Sequence, residues 1–430
     1  MESLWQSSAK MPRFSSLKGD MDTDILIIGG GMAGVLCAWM LQRAGVDYVL
    51  AEAREIGSGV TGSTTAKLTS QHGLIYHKLG QKAELYYRAN QQALEQYRAI
   101  CREIPCDFEE KDAFVYSLTD RAALEREARA LEALGAPGEL VENPQLPFPV
   151  AGAVRLGEQA QFHPLKFLGQ ISKPLHILEN TPVLELKGTT AITPKGKIWA
   201  KKIVVATHFP FLNKHGSYFL KMYQHRSYVL ALKGAKAPEG MYVADKKDGL
   251  SFRSFGELLL LGGGSHRTGK KGGGWEALHA FAREYYPNVE AVAQWATQDC
   301  MTLDGMPYIG PYSASTEALY VATGFQKWGM TGSMVAAQLL SQMLQGKPSP
   351  YEKLFSPSRS MLKPQLAANA FHATVNLLTP TVPRCPHLGC ALKWNPLEHS
   401  WDCPCHGSRF GADGTLLDGP ATGDMSNYKL

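Results

Sequence analysis

Between Asp24 and Glu52 the sequence leaves room for few folds. Residues 24–28 read DILII, a short apolar run suited to a strand buried on both faces. Gly29-Gly30-Gly31-Met32-Ala33-Gly34 follows, then VLCAWMLQRAG with helical spacing up to Gly45. A second apolar run, Asp47 to Ala51, ends on Glu52. Strand, glycine turn, helix, strand, acid is the order of a dinucleotide-binding unit. In such a unit Gly29 permits the tight turn, Gly31 lets backbone approach a pyrophosphate, and Gly34 lets helix pack closely on strand. The helix N-terminus turns N–H groups and a positive dipole end toward the phosphates. Glu52, 18 residues beyond Gly34, is placed to accept hydrogen bonds from a ribose hydroxyl.

No second complete unit of this kind is present. Gly262-Gly263-Gly264 follows an apolar run, but Arg267 stands where the third glycine belongs and no apolar helix follows. A single nucleotide fold favours FAD over a reductase that also carries an NAD(P)H fold. With 430 residues, 44% hydrophobic and 19% charged, the chain can bury a large core and is not disordered. The net charge is +5, and Arg267, Lys270 and Lys271 form only a short basic cluster, so nucleic-acid binding has little support. No run of 18 apolar residues predicts a membrane span, and the N-terminus lacks the apolar core of a secretory signal. The expected location is cytoplasmic.

The front of the chain resembles the D-amino-acid oxidase and glycine oxidase superfamily of FAD-dependent oxidoreductases over residues 22–350. Besides the fingerprint and Glu52, the resemblance rests on GSGVTGSTTAKLTSQHG (57–73), Thr181-Pro182-Val183, KKIVVATHFP (201–210) and GFQKWGMTGSMVAAQLLSQML (324–344). It implies that Thr65, Ala66, Lys67, Val183, Ala206, Gly329, Met330 and Thr331 contact FAD. It also implies a helix N-terminus facing the pyrimidine end of the ring. Residues 78–104 and 120–135 have helical spacing. Residues 221–232 and 251–261 read as strands, the second carrying a hairpin turn at FGEL. In related oxidases a sheet of this domain roofs the ring, so Arg253, His266 and Tyr228 are the candidate catalytic and substrate contacts, Arg253 as a carboxylate clamp. His72 is placed either to face the flavin or to satisfy a turn. Cys300 and several histidines leave covalent flavin attachment open.

Four of the eight cysteines fall within 21 residues of the tail, in Cys385-Pro-His387-Leu-Gly-Cys390 and Cys403-Pro-Cys405-His406-Gly-Ser408. Two thiolates and two imidazoles suit a tetrahedral zinc. Zinc fingers usually group cysteine with cysteine, however, whereas here each loop delivers one Cys and one His. That arrangement suits two irons ligated asymmetrically. The wording CPHLGC…CPCHGS is similar to Rieske proteins nearly letter for letter. The resemblance implies a [2Fe–2S] cluster with Cys385 and Cys403 on one iron and His387 and His406 on the other. It further implies a Cys390–Cys405 disulfide linking the loops and a Ser408 hydrogen bond to a bridging sulfide. Phe410 stands where high-potential members place a tyrosine, which predicts a lower potential.

The expected fold class is therefore α/β, a Rossmann-like FAD-binding domain with an inserted α+β substrate domain, followed by a small all-β Rieske-type domain. The expected parts are an N-terminal extension (1–21) and an oxidoreductase (22–350). Within it, nucleotide-binding pieces span about 22–75, 150–210 and 300–350, and the substrate domain about 76–149 and 211–299. A linker (351–370) and a Rieske domain (371–430) complete the chain. Only 34 residues separate Tyr351 from the first ligand loop, so the strands that usually precede it have little room and the domain is expected to be short. The expected activity is oxidation of a small amine or amino-acid-like substrate, with electrons passed from flavin to cluster to a one-electron acceptor, protein or quinone-like. The alternative is an electron-transfer protein reduced by a partner.

Overall fold

The structure is a computed structural model and describes residues 2–246, 249–380 and 383–425. Met21–Ile28 runs parallel to Tyr48–Ala51 on one side and to Gly196–Val205 on the other. Ile177–Leu178 and Leu319–Thr323 extend the parallel sheet at either end. Every residue from Ile25 to Ile28 is buried, as an apolar strand covered on both faces requires. Met32–Arg43 and Gly329–Leu344 pack against each other over this sheet. Their Gly and Ala residues allow the close approach.

A second sheet of eight strands has the order Glu290–Thr302, Met222–Lys233, Leu258–Arg267, Ser251–Phe255, Met241–Ala244, Ala113–Ser117, Gly152–Leu156, Gly138–Val141. The hairpin expected at FGEL is present: Phe255 pairs with Leu258 across Gly256, whose φ of +54° a residue with a side chain rarely adopts. Helices occur at Ala83–Cys101 and Arg121–Ala133.

Several boundaries fall elsewhere than the sequence suggests. Gly152–Leu156, placed above with the nucleotide-binding pieces, pairs with Ala113–Ser117 inside the second sheet. Cys300 to Thr302 continue the long strand from Glu290 rather than opening a nucleotide-binding segment. The N-terminal extension is not a loose tail. Leu4–Ser8 is a helix, Trp5 is fully buried, and its indole Nε1 donates to Thr64 O at 2.6 Å. Pro364–Leu378 is a helix that crosses the expected linker boundary at 370, with Pro364 in the first turn where its missing N–H costs nothing. The tail then forms an antiparallel sheet of four short strands between Lys393 and Asp418.

Candidate active site and metal centre

A cavity of about 980 Å³ opens above the carboxyl ends of the parallel strands. Gly29, Gly31, Glu52, Thr65, Lys67, Val183, Ala206, Gly329 and Met330 all line it. The glycines divide by role. A Cβ at Gly34 would lie 1.9 Å from Gly29 O, and one at Gly29 would lie 2.6 Å from Ala206 O, so protein packing alone demands both. A Cβ at Gly31 would meet nothing closer than Thr61 Oγ1 at 3.4 Å. Its missing side chain instead clears the cavity, as a pyrophosphate cradle requires, and the residues present fit a dinucleotide. Glu52 receives Gly30 N at 2.6 Å and Arg54 N at 2.9 Å, which fixes its carboxylate at the rim.

The third fingerprint glycine and two residues implied as flavin contacts stand behind the lining. Gly34 packs on Gly29, and Ala66 is fully buried with its carbonyl accepting from Arg253. Thr331 Oγ1 is bonded to Thr69, donating to its carbonyl at 2.8 Å.

The candidate catalytic residues need correction. Arg253 does not reach the cavity. Its guanidinium donates to the carbonyls of Thr65 (2.8 Å), Ala66 (2.9 Å) and Ser254 (3.0 Å) and lies over the Trp5 ring, so it braces the 65–66 segment from behind. Burial lowers its pKa to about 9. His266 is outside the lining and bonds Tyr228 OH at 3.0 Å and Arg267 O at 2.9 Å. Tyr228 borders the cavity, but its hydroxyl donates to Glu398 in the tail at 3.2 Å. His72 both lines the cavity and satisfies a turn: Nε2 donates to Thr69 O at 2.7 Å, and Nδ1 accepts from Tyr86 OH at 2.6 Å. Burial lowers its pKa to about 3, so the ring is neutral.

In their place the fold assembles a polar row that sequence reasoning missed. Lys327 Nζ donates to Ser265 Oγ at 3.1 Å, Ser265 Oγ meets Ser227 Oγ at 3.0 Å, and Ser227 Oγ reaches Asp299 Oδ2 at 3.5 Å. All four residues line the cavity. Burial raises the Asp299 carboxyl to about 6, which leaves it ionised at neutral pH. Lys67 lies on the same wall, and burial with the nearby Arg253 and Lys327 charges brings it down to about 7.

In the tail the two Cys-containing loops are copies of one turn. Gly389 N returns to Cys385 O at 2.9 Å, and Gly407 N returns to Cys403 O at 2.9 Å. Gly389 and Gly407 have φ of +74° and +83°, the left-handed conformation that lets each loop close. The closure brings His387 Nδ1 and His406 Nδ1 to 3.3 Å with the rings at 84°. Two imidazole nitrogens bound to one ion at about 2.1 Å each would be separated by this much. Burial, with His406 beside it, lowers His387 to about 4, so it is neutral and able to ligate. A hydrogen bond from Cys385, with others from Cys390 and Cys405, holds the Cys403 thiol well below its ordinary range. Ser408 is buried, its Oγ accepts from Ala421 N at 3.0 Å, and its hydroxyl is within hydrogen-bond reach of Cys385. The expected Cys390–Cys405 bridge is not closed. All eight cysteines are unbonded, although the sulfurs of Cys390, Cys403 and Cys405 lie within 4.8 Å of one another. Phe410 is buried against these cysteines.

Comparison with known proteins fits both sites. The family model described as FAD dependent oxidoreductase (DAO) matches residues 24–343. The chain belongs to that family. A second family model, the Rieske [2Fe-2S] domain, matches residues 377–429. A Bacillus subtilis (strain 168) protein described as the Rieske 2Fe-2S iron-sulfur protein YhfW is 35% identical, covering 100% of this chain and 98% of the relative. The tail alone is similar to cytochrome b6-f complex iron-sulfur subunit 3 of Nostoc sp., 34% identical over 24% of this chain and 62% of that one. Among solved structures, glycine oxidase from Geobacillus kaustophilus superposes with a TM-score of 0.67 at 19% identity, covering 79% of this chain and 99% of that one. L-proline dehydrogenase from P. horikoshii gives 0.68 at 18%, covering 79% and 98%. The protein is thus an FAD-dependent oxidoreductase with a C-terminal Rieske domain. It takes FAD and a [2Fe–2S] cluster.

The Rieske domain is fastened directly to the flavoprotein sheet. Gln224 Nε2 donates to His406 O at 2.8 Å, and Gln298 Nε2 donates to Gly407 O at 2.9 Å. Arg267 Nε donates to Pro404 O at 3.1 Å, and Asn213 Oδ1 lies 2.8 Å from His387 Nε2. Arg226 grips Glu398 with two nitrogens, the Nε bond being 2.8 Å, and Arg409 joins the same carboxylate at 2.9 Å. Arg226, Glu398 and Arg409 are all nearly inaccessible to solvent. Arg409 keeps the Glu398 carboxylate paired when Arg226 is removed. Arg226→Ala is therefore expected to destabilise the docked tail by about 1.5–3 kcal/mol, the value of a hydrogen bond between charged groups. Urea unfolding followed separately by iron–sulfur and flavin absorbance checks this: the cluster transition should move to lower urea ahead of the flavin one.

Proposed function

We propose that the protein oxidises a small amine or amino-acid-like donor in the cavity and passes the electrons through the Rieske centre to a one-electron acceptor, protein or quinone-like. When bound, FAD takes up a hydride equivalent and the [2Fe–2S] cluster takes electrons one at a time. The observation that carries the reading is the shared wall. The cavity lined by the fingerprint glycines is also lined by Gln224, Gln298 and Rieske residues 416–422. Phe209, four residues past the end of the strand Gly196–Val205, lines it too and meets the His406 ring at 6.2 Å between centroids. The cavity and the Rieske segment thus share one wall.

In this reading Cys385 and Cys403 hold one iron and His387 and His406 the other. Asp299 and Lys327, spaced by two serine hydroxyls, present an anion and a cation to a donor that carries an ammonium or both charges. His72, neutral and engaged at both nitrogens, orients the Thr69 turn and removes no proton. Cytoplasmic placement belongs to the same proposal. No helix among the described residues is long and apolar enough to cross a membrane.

Anaerobic mixing with a panel of amines and amino acids tests the reading. Flavin bleaching by a small donor is the expected result; reduction only by a protein donor would replace it with the electron-transfer alternative. With an active donor in hand, Asp299→Asn should weaken donor binding by roughly tenfold to a hundredfold, the value of a hydrogen bond to a charged group.

A further inference from the structure

The helix Pro364–Leu378 is turned inside out. Its buried residues are Asn369 and Asn376. Asn369 Nδ2 donates to Leu220 O at 3.0 Å, its Oδ1 accepts from Arg267 at 3.1 Å, and the Asn376 carbonyl accepts from Ala391 N at 3.0 Å. The opposite face carries Phe371, Val375 and Leu378, which are 67%, 44% and 77% exposed. Spaced i, i+4, i+7, they form one stripe. Leu362, two residues ahead of the helix, is 86% exposed as well. The first ligand loop continues the same region, because Arg384 donates to Leu377 O at 3.2 Å and Gly389 O at 2.7 Å, and Leu388 beside His387 is 37% exposed. A contiguous apolar face open to water marks a surface with a partner.

The charge around it says which kind. From Lys353 through Leu397 the sequence contains Lys353, Arg359, Lys363, Arg384 and Lys393 and not one Asp or Glu. Arg359 is neutralised by Asp304 at 2.7 Å, whereas Lys363 stands at the head of the helix, Arg384 is bonded to Leu377 O and Thr379 O at its end, and the charges of Arg267 and Lys270 reach His372 within it. A second copy of the chain would meet this face with itself, cation against cation, in a two-fold contact. A negatively charged lipid sheet satisfies both features, taking the apolar stripe into its acyl boundary and the cations at its phosphates.

We propose that this face seats the protein on an anionic bilayer, with the helix lying in the interface and the cluster loop Cys385–Cys390 at its margin. The chain then rests on the membrane without spanning it, and the cluster faces a region where an apolar electron carrier dissolves. The binding step does not depend on which donor the flavin site oxidises, so the two proposals fail separately.

Flotation of the full-length holoprotein with vesicles of phosphatidylcholine alone, or of phosphatidylcholine with phosphatidylglycerol, tests it. The protein should float with the mixed vesicles and at least about tenfold less with the neutral ones, since each basic residue near the surface is worth roughly fivefold. Phe371→Ser with Leu378→Ser should lower partitioning by roughly a hundredfold, the value of exposing two large apolar side chains. Lys363→Glu, a change of two charge units, should lower it by about twenty-five-fold. Unchanged flavin and iron–sulfur spectra would show that each variant is folded and loaded. Three results overturn the proposal: equal flotation on both vesicles, flotation on neither, or full binding by the double serine variant. A dimer in sedimentation that the serine variant dissolves, with no lipid binding, would assign the face to a second copy instead.

Discussion

Gly31→Val yields a folded protein without FAD. A Cβ at position 31 finds only Thr61 Oγ1, at 3.4 Å, so the protein's own packing hardly changes. The valine methyls project into the cavity instead, where backbone must approach the pyrophosphate closely. Gly34→Ala is the informative contrast. Its Cβ would sit 1.9 Å from Gly29 O, and that backbone collision has no side chain to give way. The first variant should lose the flavin absorbance while its melting temperature stays within a few degrees of the wild-type apoprotein. The second should lose folded protein altogether. Stoichiometric FAD in Gly31→Val would mean that the turn does not cradle a phosphate.

Cys403→Ser should abolish the iron–sulfur signal in electron paramagnetic resonance while the bound flavin persists. The Cys403 side chain is fully buried among the other cysteines and makes none of the bonds that fasten the tail to the sheet. Those bonds run from Gln224, Gln298 and Arg267 to backbone carbonyls and from Arg226 to Glu398. Docking and ligation are therefore separable in this geometry. Metal and flavin analysis of the purified variant is the measurement, and joint loss of both groups would refute the separation.

What could be read from the sequence was what is local in it. The fingerprint from Asp24 to Glu52 and the two loops around Cys385 and Cys403 each carry their ligating groups within a few residues, with glycines where the backbone must turn. The polar row of the cavity is not local. Ser227, Ser265 and Asp299 come from three strands of the second sheet and Lys327 from the turn before Gly329, and only strand register brings them together. Lys327 was the one member with a signal, standing two residues ahead of the glycine that opens a matched helix.

Arg253 misled because an arginine on a strand near a cofactor suggests a clamp. What disposes of it is Trp5, from the N-terminal extension, whose ring lies against its guanidinium. The helix Pro364–Leu378 was legible in principle. Its alanines and leading proline favour helix over the strands that the Rieske resemblance suggested, and local propensity prevailed.

The glutamine grips on His406 O and Gly407 O bear on how freely this tail could be exchanged for another. Gln224 and Gln298 come from neighbouring strands of the second sheet, and Arg226 needs an acid at position 398. A foreign Rieske segment grafted after residue 378 would carry its ligands intact yet meet unmatched partners. Transplantation between members of such fusions should therefore succeed only when sheet and tail are moved as a set, and the two modules have to change together over generations.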